Sequence, residues 1–274
     1  MASDLRQMLS ESRMVVAPGV HDGLAAKVFG DAGFPAVYMS GNGTSASLLG
    51  APDIGLLTMT EMVMRARAIV AATGVPVIAD ADTGYGNAVN VARTVREYEA
   101  AGVCAIHLED QVMPKKCGAM AGLELVSADE HADRIRAAID ARSSADFLII
   151  GRTDARLPLG FEEALRRART YADAGADLVL VEMLQSPQEI EHLVRQMPVP
   201  VMMNAVSGKT PDLVPAEFAN LGIAILAYPL ASILTYTRSM RDLAAHLAHG
   251  GSPAQFSPAE LSLDQYAQVL GSRA

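Results

Sequence analysis

Acidic side chains follow three separate apolar runs of the sequence. Asp80 and Asp82 stand in Asp-Ala-Asp-Thr-Gly, Glu109 stands in His-Leu-Glu-Asp-Gln, and Glu182 ends a run of Leu and Val. A single acid at such a place is commonly a loop cap, but acids that converge repel one another unless a cation neutralises them. Carboxylates are ligands that Mg²⁺ prefers, and Mn²⁺ can substitute. The sequence predicts a Mg²⁺ site at Asp80, Asp82 and Glu109, whereas His107 and one loop cysteine make a poor zinc site.

A cation and a row of small residues could bind an anionic substrate. Arg152 stands in Gly-Arg-Thr-Asp, and its planar guanidinium can pair with a carboxylate through two hydrogen bonds. An ion pair with Asp154 or Glu182 is the structural alternative. Ser40 precedes Gly-Asn-Gly at 41–43, whose amides could form an oxyanion cradle because glycine lets the chain approach a ligand. A tight turn without function would explain the same residues.

Cys117 lies in a Gly-containing loop, 111–122, directly after Lys115 and Lys116. Adjacent cations lower the pKa of a thiol and favour proton exchange. A long loop next to a site can also close over it. Cys117 is therefore predicted to be a general acid that a closing lid delivers. The alternative is an exposed cysteine without function, with two solvated lysines beside it.

These candidates stand at the ends of eight short apolar runs that alternate with segments of helical apolar spacing. The segments 98–109 and 171–182 repeat one layout, in which a glycine ends a helix and an acid ends the following strand. The pattern predicts one domain, residues 1–274, folded as a (β/α)8 TIM barrel with its chemistry at the carboxyl ends of the strands. A doubly wound sheet is the alternative, but 17–22 lacks its Gly-rich phosphate turn. The predicted strands are 14–17, 36–40, 76–80, 104–109, 147–152, 177–182, 200–204 and 223–227.

Composition excludes several other classes of protein. The net charge of −9, with 22 Lys and Arg among 274 residues, predicts no nucleic-acid partner and no anionic membrane surface. The longest apolar stretch, 221–236, is interrupted by Pro229 and is shorter than the roughly 20 residues that cross a bilayer. Two cysteines make no disulfide framework, and the amino terminus has no export signal pattern, so we expect a cytoplasmic protein. None of the predicted strands contains Lys, which disfavours a Schiff-base aldolase.

Motifs along nearly the whole chain resemble those of the isocitrate lyase/phosphoenolpyruvate mutase superfamily. The pairing of Lys-Lys-Cys-Gly with a preceding Glu-Asp-Gln is specific, and the other motifs are individually weak and jointly strong. The matching segments are 38–43 (Tyr-Met-Ser-Gly-Asn-Gly), 51–56 (Ala-Pro-Asp-Ile-Gly-Leu), 80–86 (Asp-Ala-Asp-Thr-Gly-Tyr-Gly), 107–111, 115–118, 151–155 (Gly-Arg-Thr-Asp-Ala), Asn204 and 209–211 (Lys-Thr-Pro).

This resemblance implies an assembly and a set of site residues. The last helical segment, about 235–274, would be exchanged between subunits of a dimer of dimers, and Mg²⁺ would lie near Asp80, Asp82 and Glu109. Cys117 would mark the lyase branch and act with the catalytic residues Arg152, Glu109 and Tyr38. The residues implied to bind the substrate are Ser40, Gly41, Asn42, Asp53, Lys116, Gly118, Arg152, Glu182, Asn204, Thr210 and Pro211.

One position departs from the family pattern. Lyases that this chain resembles continue Cys-Gly with His, whereas Ala119 stands here. Loss of the imidazole disfavours a third carboxylate on the substrate, and the segment 204–211 looks more like that of enzymes acting on 2,3-dimethylmalate than of 2-methylisocitrate lyases. We therefore predict a Mg²⁺-dependent lyase that cleaves a small 2-hydroxy dicarboxylate by a retro-aldol reaction to pyruvate or another 2-oxo acid. An oxaloacetate decarboxylase or hydrolase, a phosphonomutase-like enzyme and a non-enzymatic metabolite-binding protein are the alternatives.

Overall fold

Eight parallel strands close into a barrel. The computed structural model describes residues 2–11, 13–256 and 260–271. Each strand pairs with the next, and β8 pairs with β1. The predicted (β/α)8 TIM barrel is therefore confirmed. The strands are β1 (Val15–Val20), β2 (Val37–Met39), β3 (Val77–Asp80), β4 (Ala105–Glu109), β5 (Leu148–Thr153), β6 (Leu178–Val181), β7 (Val201–Asn204) and β8 (Ile225–Tyr228).

Helices follow the strands and cover the barrel. Capping side chains fix where several of them begin, because the first amides of a helix lack partners within it. Ser127 and Ser186, for example, accept hydrogen bonds from the amides of Glu130 and Glu189. The helices are α1 (Ala2–Ser10), α2 (Gly23–Asp31), α3 (Gly41–Leu49), α4 (Met59–Ala72), α5 (Ala88–Ala100), α6 (Ala128–Ala141), α7 (Arg156–Leu159), α8 (Phe161–Asp173), α9 (Pro187–Gln196), α10 (Pro215–Asn220), α11 (Ala231–Ala248) and α12 (Leu263–Val269).

Strand β1 extends further than the sequence predicts. The prediction ended it before Pro18 and Gly19, since both residues commonly interrupt strands. In the structure Pro18 pairs with Tyr228 of β8. Gly19 packs against the following turn, where a Cβ would lie 2.4 Å from the carbonyl oxygen of Pro229. Glycine is thus needed here for close packing within a continuous strand, and the other predicted strand ends agree with the structure within about two residues.

The barrel interior is filled by side chains and is not a channel. Tyr38, Ile78, Ile150 and Met202, from four different strands, belong to one buried cluster. Leu5 of α1 belongs to the same cluster, together with residues near the amino ends of the strands. Because the interior is packed, polar chemistry is confined to the carboxyl ends of the strands, as in other barrels of this class.

The carboxyl-terminal part of the chain is helical over α11 and α12, with a 3-10 turn at Pro253–Gln255. Residues 257–259 and 272–274 of the predicted helical segment lie outside the described residues. Helix α11 exposes the apolar side chains of Leu234, Tyr236 and Met240, and the exchange of this segment between subunits stays a prediction. No helix in the described ranges has the length and apolar character needed to cross a bilayer.

Candidate active site

The carboxyl ends of the strands and the loop after β4 enclose a cavity. Most of the residues predicted for the site line it, and residues from seven strand ends or the loops that follow them take part. The lining residues are Tyr38, Ser40, Asn42, Asp53, Asp80, Cys117, Gly118, Ala119, Arg152, Glu182, Met183, Asn204, Val206, Pro229 and Leu230. Asp82 and Glu109 are buried close to this group and share charged partners with it.

A lysine for which a solvated charge was the alternative interpretation neutralises part of the acid cluster. Nζ of Lys115 lies 2.7 Å from Oδ1 of Asp82 and 2.8 Å from Oδ1 of Asp53, and the lysine side chain is only 2% exposed. Burial raises the pKa of Asp82 to about 6 although the Lys115 ammonium opposes the rise. The interpretation of Lys115 as a solvated charge is therefore wrong, because the loop folds inward and carries its ammonium to two buried acids.

The predicted metal ligands offer buried carboxylate oxygens to a cation. Among the described residues, no group of three His, Cys, Asp or Glu side chains is already arranged to bind a metal ion. However, both carboxylate oxygens of Glu109 are buried and accept no hydrogen bond, although Nη2 of Arg152 lies 3.2 Å from one of them. Burial raises the pKa of Glu109 well above its usual value. Mg²⁺ commonly takes one or two carboxylates and completes its shell with water, so Asp80, Asp82 and Glu109 fit such an ion.

A tyrosine, a histidine and an aspartate form a buried row next to these acids. The hydroxyl of Tyr38 is 2.7 Å from Nε2 of His107, and Nδ1 of His107 is 3.7 Å from Oδ1 of Asp80. Burial lowers the pKa of His107 to about 4 and raises that of Tyr38 well above its usual value. Both groups are therefore neutral near pH 7. The sequence analysis considered His107 as part of a poor zinc site, and the structure places it against the catalytic candidate Tyr38.

The predicted oxyanion cradle is the start of helix α3. Ser40 caps this helix, and its hydroxyl accepts a hydrogen bond from the amide of Gly43 at 3.2 Å. The amide of Gly41 donates to Oδ2 of Asp80 at 3.3 Å, and a Cβ at Gly41 would lie 2.5 Å from that oxygen. Two of the three cradle amides thus already have acceptors within the protein. The open cradle is corrected to a capped helix end, while the side chains of Ser40 and Asn42 still line the cavity.

Arg152 forms the ion pair that was the structural alternative, and it also lines the cavity. Its Nε lies 2.9 Å from Oδ1 of Asp154 and its Nη2 lies 3.2 Å from Oδ2, so the structural ion pair is present. The guanidinium nevertheless lines the cavity. Glu182 accepts a hydrogen bond from the side chain of Asn204 at 3.0 Å, and burial raises the pKa of Glu182 to about 7. The cavity therefore holds a fixed cation and a carboxyl group that exchanges protons near neutrality.

The loop of residues 111–122, the lid, carries Cys117 over the cavity, but the pKa of the Cys117 thiol shifts in the direction opposite to the prediction. Burial raises the pKa of Cys117, although neighbouring lysines were expected to lower it. The reason is that the Lys115 ammonium binds two acids, while Nζ of Lys116 points away and donates to the carbonyl of Gly122. Lys116 therefore does not line the cavity. A thiol with a raised pKa stays protonated at neutral pH, which suits a proton donor.

Gly118 allows the lid to lie directly on the strand ends. A Cβ at this position would be 2.7 Å from Cγ of Glu182 and 2.8 Å from Nη2 of Arg152. Neither distance is compatible with an unmoved neighbour, so a side chain at 118 would hold the lid away from the barrel. The predicted contact residue Gly118 thus contributes through the absence of a side chain.

Two predicted binding residues lie behind the cavity wall. The hydroxyl of Thr210 accepts a hydrogen bond from the amide of Val206 at 2.9 Å, and Val206 lines the cavity. Thr210 therefore supports the loop after β7, and neither it nor Pro211 is a lining residue. Since turn geometry decides this arrangement, the resemblance of segment 209–211 could not distinguish contact from support.

An apolar wall that the sequence analysis missed completes the cavity. Ala119 faces it from the lid, and Met183, Val206, Pro229 and Leu230 follow strands β6, β7 and β8. Met183 has a φ of 61°, a left-handed conformation that is uncommon for its type and occurs at functional sites. Apart from Ala119, the wall consists of ordinary apolar residues just beyond strand ends, and only their position one or two residues after the strand signals their role.

Comparisons with known proteins identify the family of this chain. A family model described as phosphoenolpyruvate phosphomutase matches residues 5–248. A 2,3-dimethylmalate lyase of Eubacterium barkeri is 52% identical over 271 residues, covering 98% of this chain and 94% of the relative. A 2-methylisocitrate lyase of Aeropyrum pernix is 41% identical over 249 residues, covering 90% of this chain and 80% of the relative. The chain belongs to the phosphoenolpyruvate mutase/isocitrate lyase superfamily.

Solved structures extend the comparison to three reactions. A crystal structure of 2,3-dimethylmalate lyase superposes with a TM-score of 0.93 at 39% identity, covering 98% of this chain and 91% of that one. Oxaloacetate acetylhydrolase with 3,3-difluorooxalacetate gives 0.91 at 36% identity, covering 98% and 93%. Phosphonopyruvate hydrolase with oxalate and Mg²⁺ gives 0.88 at 36% identity, covering 98% and 94%. Because its close relatives are named lyases, the predicted class of enzyme, a carbon–carbon lyase, is confirmed.

Proposed function

We propose that the enzyme cleaves the C2–C3 bond of a small 2-hydroxy dicarboxylate similar to 2,3-dimethylmalate, in a Mg²⁺-dependent retro-aldol reaction. The products are pyruvate, or another 2-oxo acid, and a carboxylic acid. The observation that carries the proposal is the position of Cys117, a protonated thiol on a lid, over a cavity with one fixed guanidinium and one apolar wall. The 52% identity to a 2,3-dimethylmalate lyase supports it.

Binding of the substrate follows from the charges in the cavity. The guanidinium of Arg152 is held by Asp154 and can direct its remaining donors to a substrate carboxylate. Ser40, Asn42 and Asn204 line the same space and can hydrogen-bond to the second carboxylate or to the hydroxyl group. These groups supply polar contacts for a dicarboxylate, and no second free cation faces the cavity among the lining residues described.

Bond cleavage requires one proton to leave and another to arrive. A base takes the proton of the C2 hydroxyl, the oxygen forms the new C=O bond, and the electrons of the C2–C3 bond remain on C3 as an enolate. Glu182, with a pKa of about 7, has the proton affinity that such a base needs. Cys117 then protonates C3 from the lid side and recovers its proton from solvent when the lid opens.

A divalent ion held by Asp80, Asp82 and Glu109 would supply Lewis-acid polarisation of the substrate's carboxylate and hydroxyl oxygens. The two buried oxygens of Glu109, neither of which accepts a hydrogen bond, support this assignment. Tyr38, held by His107, keeps a neutral hydroxyl beside the same acids and can donate a hydrogen bond to an oxygen that gains negative charge.

The apolar wall supports a substrate with a small alkyl substituent. Ala119, Met183, Val206, Pro229 and Leu230 offer no donor to a third carboxylate. Burial of one methylene group is worth about 0.8 kcal/mol, so a methyl group against this wall is favoured over a charged group, which would lose its hydration. A 2-methylisocitrate-like tricarboxylate therefore fits less well than a dimethylmalate-like dicarboxylate.

A pyruvate-coupled assay tests the proposal. We expect pyruvate from 2,3-dimethylmalate, loss of turnover with EDTA, and recovery with Mg²⁺ or Mn²⁺. Oxaloacetate and phosphonopyruvate serve as competing substrates, followed by NMR, because hydrolases of both kinds share this fold. Faster turnover of either compound than of any 2-hydroxy dicarboxylate would replace the proposal with a hydrolase, and turnover that is insensitive to EDTA would remove the metal from it.

A further inference from the structure

A buried amide side chain fastens the lid to the barrel. Gln111 directly follows the β4 acids and is 1% exposed. Its Oε1 accepts a hydrogen bond from the amide of Lys116 at 2.9 Å, and its Nε2 donates to the carbonyl of Lys116 at 2.7 Å. Both bonds involve the backbone of Lys116, the residue before Cys117. Gln111 therefore fixes the lid next to the thiol.

The same amide also contacts the carboxylate that holds Arg152. Nε2 of Gln111 donates to Oδ2 of Asp154, and both oxygens of Asp154 accept hydrogen bonds from Arg152. An ionised carboxylate has about four acceptor sites, so Asp154 can serve both partners at once. One buried carboxylate is thus shared by the lid and by the guanidinium in the cavity.

Asp154 is itself held in place from behind. Its backbone amide donates to Oδ1 of Asp110 at 2.9 Å. Oδ2 of Asp110 accepts hydrogen bonds from Thr153, Arg167 and Tyr171 at 2.7 to 3.0 Å. Because these partners are buried and satisfied, the backbone of Asp154 has little freedom, and the adjustable part of the arrangement is its carboxylate.

We propose that Gln111 and Asp154 are positioning residues that couple closure of the lid to the orientation of Arg152. This inference depends on the proposed function only in that Arg152 is taken to bind a substrate carboxylate. With the lid closed, Gln111 and the guanidinium share Asp154, and the fork of Arg152 is fixed. With the lid open, Gln111 loses its two bonds to Lys116 and no longer restrains Asp154.

The coupling works in the other direction as well. A substrate carboxylate that attracts the guanidinium weakens the bonds from Arg152 to Asp154. Oδ2 of Asp154 then becomes a better acceptor for Gln111, which strengthens the attachment of the lid. Binding of the anion and closure over it therefore favour each other, as linkage between two equilibria requires.

Alkylation of Cys117 measures lid opening without any substrate. The chain has two cysteines, and Cys104 is fully buried, so the fast-reacting thiol is Cys117. In Mg²⁺-containing buffer we expect iodoacetamide to modify Gln111→Ala about tenfold faster than the unaltered enzyme, because two or three hydrogen bonds are lost and each stabilises the closed lid. Mass spectrometry locates the label. Ser186→Ala, which removes a distant helix cap, should leave the alkylation rate unchanged.

A second residue tests the coupling itself. Asp154→Asn should also accelerate alkylation, because an amide cannot accept from Arg152 and Gln111 as a carboxylate does. Combined with Gln111→Ala, it should add no further acceleration. An unchanged rate in Gln111→Ala, or rate increases that multiply in the double variant, would overturn the proposal. Both outcomes are independent of which dicarboxylate the enzyme cleaves, so failure of the proposed function is recognised separately.

A charge swap covers the case in which Asp154→Asn alone fails to fold. Gln111→Glu places a second carboxylate beside Asp154 and should accelerate alkylation. Adding Asp154→Asn to this variant supplies a donor for the new carboxylate, so the rate should return toward that of the unaltered enzyme. A double variant that reacts as fast as Gln111→Glu would contradict the coupling, since a loss of general stability cannot be reversed in this way.

Discussion

Nζ of Lys115, on the lid, lies 2.7 Å from Oδ1 of Asp82 at the end of β3, and both side chains are buried. The lid therefore carries a positive charge into the acid cluster. We expect Lys115→Met to lower the free energy of unfolding by about 3 kcal/mol at pH 8, because Asp53 and Asp82 lose their buried cation. Urea denaturation measures this change.

The loss in Lys115→Met should depend on pH. Because the pKa of Asp82 is raised to about 6 in the folded protein, the folded state binds its proton more tightly than the unfolded chain does. The contribution of this Asp82 proton to the free energy of unfolding is present at low pH and is lost as the pH rises through about 6. The loss of unfolding free energy caused by Lys115→Met should thus be smaller at pH 5 than at pH 8. Lys27→Met, at a half-exposed pair with Asp31, serves as the control, and an equal effect there would refute the role of Lys115.

Cys117→Ser should lower kcat at least tenfold while the substrate still binds. A well-placed general acid contributes about 10²–10⁴-fold, and a hydroxyl group is a much weaker acid than a thiol. Steady-state kinetics with calorimetric binding of a substrate analogue separates the two effects. Cys104→Ala, at the buried cysteine of the barrel core, should leave kcat near its original value. Full turnover by Cys117→Ser would remove the thiol from the mechanism.

Ala119→His should change the preference between substrates. An imidazole at this position faces the cavity and can contact a third carboxylate, while it reduces the room for an alkyl group. We expect the ratio of kcat/KM for 2-methylisocitrate to that for 2,3-dimethylmalate to rise at least about tenfold, which corresponds to about 1.4 kcal/mol. An unchanged ratio would mean that the apolar wall does not select the substrate.

His131 should contribute to acid sensitivity. Its ring packs edge-on against Tyr171, with Nε2 3.1 Å from the carbonyl oxygen of Leu108, and burial lowers its pKa to about 3. Between about pH 6.5 and pH 3 the unfolded chain binds a proton at this residue and the folded protein does not, so stability falls as the pH falls. His131→Gln should reduce the slope of unfolding free energy against pH by up to about 1.4 kcal/mol per unit there. An identical slope would assign the sensitivity to other groups.

The exposed apolar side chains of α11 should hold subunits together. Leu234, Tyr236 and Met240 expose apolar side chains on this helix. Full burial of one such side chain is worth about 1.5–3 kcal/mol, so an exchanged helix would bury a substantial apolar area. We expect Leu234→Asp to lower the molar mass measured by light scattering from that of a tetramer. A tetramer that persists at micromolar concentration would locate the contact elsewhere, and a monomeric unaltered protein would refute the predicted assembly.

Repetition along the chain explains why so much of the site was predictable. Glu109 and Arg152 stand at the ends of adjacent strands and pair directly in register, as do Asp80 and His107. Since parallel strands bring their carboxyl ends to one rim, strand-end residues meet there once the barrel is recognised. The sequence therefore predicted the acids, the guanidinium and the position of Cys117 on a loop above them.

The predictions that were wrong concern residues whose contacts follow no periodic pattern in the sequence. Lys115 reaches Asp53, 62 positions away, from an irregular loop, and nothing in the sequence says that it points inward while Lys116 points outward. The pKa of Cys117 was wrong in direction because burial outweighs the nearby charges, and burial requires coordinates. Thr210 was predicted to contact the substrate because motif resemblance does not distinguish a residue that lines the cavity from a residue that supports a lining residue.

Gly118 would link the proposed reaction to motion of the lid. The lid backbone at Gly118 lies so close to Arg152 and Glu182 that a Cβ would be 2.8 Å from Nη2 of the first and 2.7 Å from Cγ of the second. In the proposed reaction, each turnover would begin and end with an excursion of the loop, and water would reach the carbanion only during those intervals. The missing side chain would thus protect the proposed intermediate from premature protonation, and the rate of loop motion would be an upper bound on the rate of that reaction.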